Sequence, residues 1–236
     1  MNKPSTTIRL TRPTHYEKVS WTPHGISKKI HKFNGLQNDD AMLFESYFPN
    51  LRNGVFLEMG ALDGVKFSNT KIFEDVSNWT GVLIEPLPNE FEKLVKNRPR
   101  ARCYNCAVSK TVGEIELYAN DAVSSVKDNT TEGFFDGWHR GNNVQVIKVP
   151  SRRLDTILHD AGVSRIDLWS LDVEGSEYEV LETMDWSIPV YLIYMEMQDP
   201  GRKERCHSTL RANGFTLVRE YGINEVWINP THRRKY

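Results

Sequence analysis

The sequence predicts an α/β fold with a doubly wound, mostly parallel sheet that is closed by an antiparallel hairpin at its C-terminal end. From about residue 38 onward, short apolar runs alternate with amphipathic helical segments, a pattern typical of a parallel sheet covered on both faces. The last two apolar runs, at 215–219 and 225–228, are separated only by a short turn, so they must pair antiparallel. With 236 residues, the chain has room for one such domain.

Each strand is predicted from a short apolar run, and each helix from apolar residues three or four positions apart. In chain order, the predicted elements are a helix from Asn38 or Asp39 to about Phe48, strands at 55–57 and 81–84 with a helix from Ser68 or Asn69 between them, a helix opened by Pro88, strands at 101–108, 113–118 and 144–149, a helix at 154–159, a strand at 168–171, a helix at 176–184, a strand at 190–195, a helix at 202–213 and the terminal hairpin.

Residues 1–34 differ from the rest of the chain in composition. They are polar and basic, with seven basic groups against the single acid Glu17 in the first 33 residues, and they show no sustained hydrophobic period. We interpret residues 1–34 as a basic extension that packs loosely against the domain or wraps it, and residues 35–236 as the domain. The net charge of the whole chain is −1, which gives no overall attraction to nucleic acid or to anionic membranes.

The sequence predicts a cytoplasmic protein. No apolar run approaches the ~18 residues of a membrane span, and the N-terminus lacks the apolar core of a signal peptide. The three cysteines, Cys103, Cys106 and Cys206, cannot all pair, and free thiols in a reducing compartment are the simplest account. The sequence does not predict an oligomeric state.

A glycine-containing loop at 58–64 follows the first predicted strand. Glu58 ends the strand, and Gly60 and Gly64 allow the backbone to pass close to a ligand. The loop lacks the GxGxxG pattern of dinucleotide-binding folds, and no Walker lysine follows it, so neither NAD nor ATP is the expected ligand. A cofactor without phosphates and with cationic groups, S-adenosylmethionine, suits this acidic loop better.

Acidic residues also follow the other strands. Glu85 ends the second strand, where its carboxylate can accept hydrogen bonds from both hydroxyls of a ribose. Asp172 and Glu174 follow the fourth core strand and Glu196 follows the fifth, so the three carboxylates are expected above one edge of the sheet. They would bind a divalent metal, Mg²⁺ or Mn²⁺ rather than zinc, or tune a catalytic base. Alternatively, Glu174 caps the helix that follows it.

The segment 120–143 is predicted to be a long loop above the sheet. Its residue His139 is a further candidate for the catalytic base, although a lone histidine in a loop is more often a surface residue. The aromatic residues near it could stack on a sugar ring or form a small satellite core; they are Tyr118, Phe134, Phe135 and Trp138.

These residues resemble those of a known family, the FkbM-type S-adenosylmethionine-dependent methyltransferases. The resemblance runs from about Gln37 to Ile228 and rests on six segments in a fixed order, 56–64, 68–70, 81–86, 105–108, 153–158 and 166–177. It implies a class I methyltransferase (Rossmann-like) fold, S-adenosyl-L-methionine as the cofactor, and methylation of hydroxyl groups on sugars of glycans or on polyketides.

The resemblance also implies roles for individual residues. Asp172 and Glu174 match the family signature near the methyl-transfer centre, and Asn105 and Ala107 are expected at the adenine. From the chemistry of the reaction, Asp172 is the first candidate for the base or a metal ligand, followed by Glu196 and Glu174. The expected cofactor-binding residues are Glu58, Gly60, Ala61, Asp63, Gly64, Ser68, Asn69, Thr70, Glu85, Pro86, Asn105, Ala107 and Asp172.

The predicted function is therefore O-methylation of a hydroxyl group on a sugar or glycan, and two alternatives remain. The basic ends of the chain suggest an RNA methyltransferase, although the near-neutral total charge makes nucleic acid an unexpected partner. A non-catalytic binding module built on a methyltransferase fold is the other alternative.

Overall fold

The structure is a computed structural model that describes residues 15–22, 25–197 and 199–234, with side chains from Phe33 onward except at 37 and 200. The strands are β1 (His15–Thr22), β2 (Gly25–Lys32), β3 (Val55–Met59), β4 (Thr80–Ile84), β5 (Arg102–Tyr104), β6 (Ala107–Val108), β7 (Gly113–Ala119), β8 (Ser125–Val126), β9 (Gln145–Arg152), β10 (Ile166–Leu171), β11 (Val190–Glu196), β12 (Thr216–Tyr221) and β13 (Asn224–Ile228). The helices are α1 (Asp39–Tyr47), α2 (Lys71–Ser77), α3 (Pro88–Asn97), α4 (Glu132–Phe134), α5 (Leu154–Asp160), α6 (Glu177–Leu181) and α7 (Pro200–Ala212). A π-helical turn, Phe135–His139, directly follows α4.

The main sheet has seven strands in the order β12-β13-β11-β10-β3-β4-β5. The five strands from β11 to β5 are parallel, whereas β13 is antiparallel to both β11 and β12. The strand order reverses at β3, because β4 lies on one side of it and β10 on the other. In open α/β sheets, ligands bind beyond the carboxyl ends of the strands at such a reversal. The predicted α/β, Rossmann-like fold is confirmed.

Helices cover both faces of the main sheet, so the sheet is doubly wound. On one face, α1, α2 and α3 contribute buried side chains such as Phe73 and Leu94. On the other face, α5, α6 and α7 contribute side chains such as Leu158 and Leu210. Because each strand between them is covered on both sides, every residue of β10 and every residue of β11 except Glu196 is buried.

A second sheet, in the order β6-β9-β7-β8, packs beside the carboxyl ends of the main strands. The segment 101–108 was predicted to be one strand, and this prediction is wrong: β5 belongs to the main sheet and β6 to the second. The chain leaves the main sheet at Asn105, whose side-chain amide donates to the carbonyl oxygens of Glu85 (2.9 Å) and Pro86 (3.1 Å). An asparagine that bonds backbone carbonyls in this way ends a strand that the apolar pattern alone continues.

Two segments contain more regular structure than predicted. The described part of residues 1–34 forms an antiparallel hairpin of β1 and β2, with His15 opposite Lys32 and Thr22 opposite Gly25. β2 contains three lysines, and neither strand has a sustained apolar period, which is why the sequence pattern missed them. Residues 1–14 lie outside the described part. The segment 120–143 was predicted to be a loop, but it contains β8, α4 and the π-helical turn.

In the portion of the chain that the structure describes, no helix combines the length and the apolar character needed to cross a membrane.

Candidate active site

A cavity of about 420 Å³ opens where the strand order of the main sheet reverses. Its walls are the loops that follow β3, β4, β10 and β11, together with the second sheet and the segment before α1. Apolar residues form the end next to the second sheet, and acidic residues form the end next to β10 and β11. Small-molecule sites are usually concave, mostly apolar and supplied with a few convergent polar groups, and this cavity has that character.

Glu85 lies in the cavity wall at the carboxyl end of β4. Its Oε2 accepts the N–H of Leu62 and its Oε1 accepts the N–H of Leu87, both at 2.8 Å. Burial raises the pKa of the Glu85 carboxyl to about 7. The hydrogen bonds from the two N–H groups lower the pKa, but their effect is smaller than that of burial. Each carboxylate oxygen has a further lone pair, so the group can still accept two hydroxyl donors.

Gly60 brings the loop after β3 into contact with the loop after β10. Its backbone has φ +72°, and a Cβ at this position would lie 2.1 Å from the carbonyl oxygen of Asp172. Gly64 has a different role, since its Cβ would meet Leu94 and Arg98 at 2.5 and 2.6 Å beneath the loop. The first glycine therefore shapes the cavity wall, and the second allows the loop to pack on α3.

Glu58 was predicted to face a cationic cofactor, but the structure uses its carboxylate to hold the turn at 68–70. Oε1 accepts the N–H of Asn69 at 2.6 Å, and Oε2 accepts the hydroxyls of Ser68 (2.9 Å) and Thr70 (2.6 Å). The guanidinium of Arg98 lies 3.7 Å from Oε2. Glu58 contributes to the cavity wall, but its charge is directed into this network.

Arg98 is fully buried beneath the loop and was not identified from the sequence. Its Nε donates to Glu74 at 2.5 Å, and its terminal nitrogens donate to the carbonyl oxygen of Gly64 (3.0 Å) and to the hydroxyls of Ser68 (3.2 Å) and Thr70 (3.1 Å). Because the guanidinium is planar and has five N–H donors, one side chain can join the glycine loop, the turn and α2. No sequence signal distinguishes it from the other arginines.

Asp172, Glu174 and Glu196 meet at the acidic end of the cavity. One carboxylate oxygen from each residue lies within 4.8 Å of the others. Oδ1 of Asp172 is buried and has no hydrogen-bond partner among the described residues. Burial and the neighbouring carboxylates of Glu196 and Glu174 raise the pKa of Asp172 well above its usual value. Such a group can hold a proton, act as a strong base or bind a cation.

Two further polar residues of the cavity, Asp39 and Tyr194, were not identified as site residues from the sequence. Asp39 was treated only as a possible helix cap, and it is the buried first residue of α1. Tyr194 is buried near the carboxyl end of β11, where burial and the carboxylate of Asp39 raise its pKa far above 10. Its position two residues before Glu196 was a usable signal, because alternate residues of a strand point to the same face.

The structure brings most of the predicted site residues to the cavity and leaves others behind its wall. The predicted residues that line the cavity are Glu58, Gly60, Asn69, Glu85, Pro86, Ala107, Asp172, Glu174 and Glu196. Those that support the wall from behind are Ala61, Asp63, Gly64, Ser68, Thr70 and Asn105. Asp63, for example, accepts the N–H groups of Val65 and Lys66 and so shapes the loop itself.

His139 does not line the cavity, contrary to the prediction that it could serve as a base. It is buried, with Nε2 3.0 Å from the hydroxyl of Ser125 and Nδ1 3.3 Å from the amide of Asn120. Burial lowers its pKa. Both ring nitrogens thus lie within hydrogen-bond distance of the second-sheet segment, and His139 is not among the residues that line the cavity.

The aromatic residues around His139 form the satellite core that was one of the two expectations. The rings of Tyr118, Phe134 and Phe135 lie 5.2, 5.5 and 5.7 Å from the imidazole. Trp138 differs from them, because its side chain is half exposed and lines the cavity. Of these four aromatic side chains, one therefore faces the cavity and the other three pack around His139.

A family model described as "Methyltransferase FkbM domain" matches residues 58–222 of this chain. No curated protein matches the chain. Among solved structures, the pre-rRNA processing protein fibrillarin from Methanococcus jannaschii is 15% identical over 94% of this chain and 86% of that one, with a TM-score of 0.48. Fibrillarin from Aeropyrum pernix, with S-adenosyl-L-methionine natively bound, is 11% identical over 93% and 84%, with a TM-score of 0.46. An RNA methyltransferase from Salinibacter ruber, in complex with S-adenosyl-L-homocysteine, is 12% identical over 84% and 94%, with a TM-score of 0.40.

Proposed function

Since the chain belongs to the FkbM family of S-adenosylmethionine-dependent methyltransferases, we propose that it methylates a hydroxyl group of a sugar, a glycan or another small acceptor. The observation that carries this proposal is the arrangement of one cavity. At the carboxyl end of β4 it has a carboxylate suited to a ribose, and beside it, after β10 and β11, it has a cluster of three carboxylates.

The residues present fit the cofactor. Glu85 keeps two acceptor positions for the hydroxyls of the ribose, and Gly60 gives the loop room to approach the ligand. Cys106, Ala107 and Leu117 offer an apolar wall for the flat adenine ring. S-adenosylmethionine supplies an activated methyl group on a sulfonium, and the acidic end of the cavity suits that positive charge.

Asp172 is the residue we assign to the hydroxyl proton. A neutral alcohol is a poor nucleophile, so a group in the site must accept its proton as the new C–O bond forms. The raised pKa of Asp172 makes its ionised form a stronger base than an ordinary carboxylate, and its free Oδ1 leaves an acceptor position for the incoming hydroxyl. General-base assistance of this kind contributes about 10²- to 10⁴-fold in rate.

The same three carboxylates are also suited to a divalent cation. Their oxygens lie within 4.8 Å of one another, slightly more than the ~4.2 Å between opposite ligands of an octahedral Mg²⁺, so small side-chain movements would let them share one ion. An all-oxygen set favours Mg²⁺ or Mn²⁺ over zinc. A bound ion would lower the repulsion among Asp172, Glu174 and Glu196 and would hold the acceptor hydroxyl beside the methyl donor.

The cavity does not favour the two alternative functions. Seven of its lining residues are carboxylates, and none of the described ones is Lys, Arg or His, so the phosphates of an RNA would be repelled. RNA affinity that falls steeply with salt would support the nucleic-acid alternative. Failure to bind S-adenosylhomocysteine would support a non-catalytic module.

The proposal is tested by incubating the protein with S-adenosylmethionine labelled in its methyl group and a panel of glycans and glycosides, with and without EDTA. We expect label transfer, and we expect Asp172→Asn to lower kcat about 10²- to 10⁴-fold while affinity for S-adenosylhomocysteine changes little. Asp128→Asn, at an exposed aspartate outside the cavity, is the matched control. Loss of transfer in EDTA that Mg²⁺ or Mn²⁺ restores would establish the metal, and undiminished transfer would exclude it.

A further inference from the structure

Four large apolar side chains surround the mouth of the cavity and are open to solvent. They are Leu36 (52% exposed), Phe67 (40%), Trp138 (49%) and Ile223 (50%), and all four line the cavity. We call this set the apolar rim. Among the described residues, eight large apolar side chains are exposed to this degree, so half of them are gathered at one opening.

The apolar rim is built from four separate parts of the chain. Leu36 precedes α1, Phe67 follows the glycine loop, Trp138 lies in the π-helical turn, and Ile223 lies between β12 and β13. Scattered exposed apolar residues are ordinary on a protein surface, whereas exposed apolar side chains that line one cavity indicate a binding surface. The convergence of four segments on one opening is therefore a feature of the site.

Phe67 provides an independent indication. Its backbone has φ +60°, in the left-handed region that a bulky side chain rarely adopts. A parallel bridge to Gly35 fixes this conformation, and the ammonium of Lys66 lies 5.1 Å from the centre of its ring. Backbone strain of this kind is usually found at functional sites, and here it holds an aromatic ring at the mouth of the cavity.

The floor of the cavity has the opposite character. Its carboxylates are Asp39, Glu58, Glu85, Asp121, Asp172, Glu174 and Glu196, and no described cationic side chain lines it. Two of them lie beside a basic side chain, Glu58 beside Arg98 (3.7 Å) and Asp121 beside Lys66 (2.9 Å). A phosphate, sulfate or carboxylate on the acceptor would thus enter a field of its own sign.

We propose that the acceptor is an uncharged hydroxyl compound with an apolar body, of the class of alkyl or aryl glycosides. Its polar head would enter the acidic floor, and its apolar body would rest on the rim of Leu36, Phe67, Trp138 and Ile223. This inference rests on the proposed hydroxyl methylation and narrows its acceptor. Free polar sugars lack the apolar group that the rim would contact. Phosphorylated acceptors carry the same sign of charge as the carboxylates of the floor and would be repelled.

The first test measures binding to the protein saturated with S-adenosylhomocysteine, by titration calorimetry at low salt. Three probes are compared: methyl β-glucoside, octyl β-glucoside below its critical micelle concentration, and octyl phosphate. We expect octyl glucoside to bind at least about tenfold more tightly than methyl glucoside, because several methylene groups leave water. Octyl phosphate should bind more weakly than octyl glucoside. Equal affinities for the two glucosides, or tighter binding of octyl phosphate, would overturn the proposal.

The second test locates the preference for the alkyl chain. Trp138→Ala and Ile223→Ser should each reduce the octyl-to-methyl ratio severalfold and leave the Kd for S-adenosylhomocysteine unchanged. Val218→Ser is the matched control, because Val218 is 48% exposed and lies outside the cavity. If both rim variants kept the octyl-to-methyl affinity ratio of the native protein, the alkyl chain would bind elsewhere, and the proposal would fail.

Failure of this inference and failure of the proposed function give different results. If the labelled donor methylates glycosides regardless of chain length, hydroxyl methylation stands and the rim has no part in recognition. If no acceptor is methylated although the rim selects the octyl chain, the apolar rim is a binding surface and the proposal of hydroxyl methylation is rejected.

Discussion

The carboxyl of Glu85 has a pKa of about 7 because its burial outweighs the two backbone N–H groups that stabilise its charged form. Ribose hydroxyls donate to an ionised carboxylate, so a bound nucleoside favours the charged form. Affinity for S-adenosylhomocysteine should therefore fall as the pH falls through 7. If only the ionised form binds well, the Kd at pH 6 will be about tenfold larger than at pH 8. Titration calorimetry at the two pH values measures this ratio.

The control for this prediction is Glu85→Gln, which keeps the shape of the side chain and cannot ionise. Its Kd should be larger than that of the native protein at pH 8, and it should lack the tenfold pH dependence. The free energy of unfolding of the ligand-free protein depends on pH in the opposite sense. Between pH 4.5, the pKa of Glu85 in the unfolded chain, and about pH 7, its pKa in the folded protein, the folded state binds an extra proton. The free energy of unfolding therefore falls as the pH rises across that window. A pH dependence that persists in Glu85→Gln would assign the effect to another group.

Individual site residues could be predicted from the sequence when they directly follow an apolar strand. Glu85 and Asp172 were found in this way, because the carboxyl end of each parallel strand opens at the same edge of the sheet. Arg98 could not be found, since its partners Gly64 and Ser68 are more than 25 residues away and only the folded chain brings them together. His139 shows the converse: a chemically suitable residue in the right segment turns inward to Ser125.

At the scale of elements, the cavity depends on how closely the loop after β3 approaches the loop after β10. Replacing Gly60 by Ala would place a Cβ 2.1 Å from the backbone of Asp172, and backbone cannot give way as a flexible side chain can. We expect Gly60→Ala to push the loops apart and to weaken binding of S-adenosylhomocysteine by at least about tenfold, which calorimetry would measure.

Gly162→Ala is the matched control for Gly60→Ala. Gly162 also has a positive φ, +59°, but nothing lies within 4 Å of the added Cβ. The Gly162→Ala substitution should therefore lower the free energy of unfolding only by the strain of the left-handed backbone, about 1–2 kcal/mol, and should leave the affinity for the cofactor unchanged. Similar losses of affinity in both variants would show that backbone strain, and not the approach of the two loops, is responsible.

The elements were predicted well where an apolar run is continuous, as in β11, because a strand buried on both faces shows no alternation of polar and apolar residues. Prediction failed where a polar contact overrides the pattern. The apolar run at 101–108 is divided at Asn105, whose amide bonds two carbonyls of the neighbouring loop. The hairpin of β1 and β2 was missed because β2 carries three lysines and neither strand has a sustained apolar period.

At the scale of the whole molecule, three parts of the chain combine to form one cavity. The loops at the carboxyl ends of the main strands supply most of the acids. The second sheet and the π-helical turn between its strands supply the apolar end and Trp138. Leu36 and Asp39, the first residue of α1, come from the N-terminal side of the domain. The family match covers residues 58–222, which include the second sheet and most of the main sheet, but neither β13 nor the segment that carries Leu36 and Asp39. The segment from Phe33 to α1 is therefore a part of the site that the family match does not include.

A pair of truncations separates this segment from the basic extension before it. Phe33 and Phe44 are buried, and the ring of Phe44 lies 5.5 Å from that of Phe73 in α2. The carboxyl of Asp40 accepts the N–H groups of Asn34 (2.6 Å) and Ala41 (2.9 Å), which fixes the path of the chain into α1. Removal of residues 1–32 should leave the melting temperature and the Kd for S-adenosylhomocysteine nearly unchanged.

Removal of residues 1–44 should abolish both the folded state and the binding of S-adenosylhomocysteine. It exposes the apolar surface of α2 and removes Leu36 and Asp39 from the cavity. Circular dichroism would follow unfolding and calorimetry would follow binding. Asp39→Asn is the control that keeps the fold, since it changes a charge in the cavity and removes no apolar surface. If the shorter truncation also lost cofactor binding, the domain boundary at 34 would be wrong, and the hairpin of β1 and β2 would belong to the methyltransferase domain.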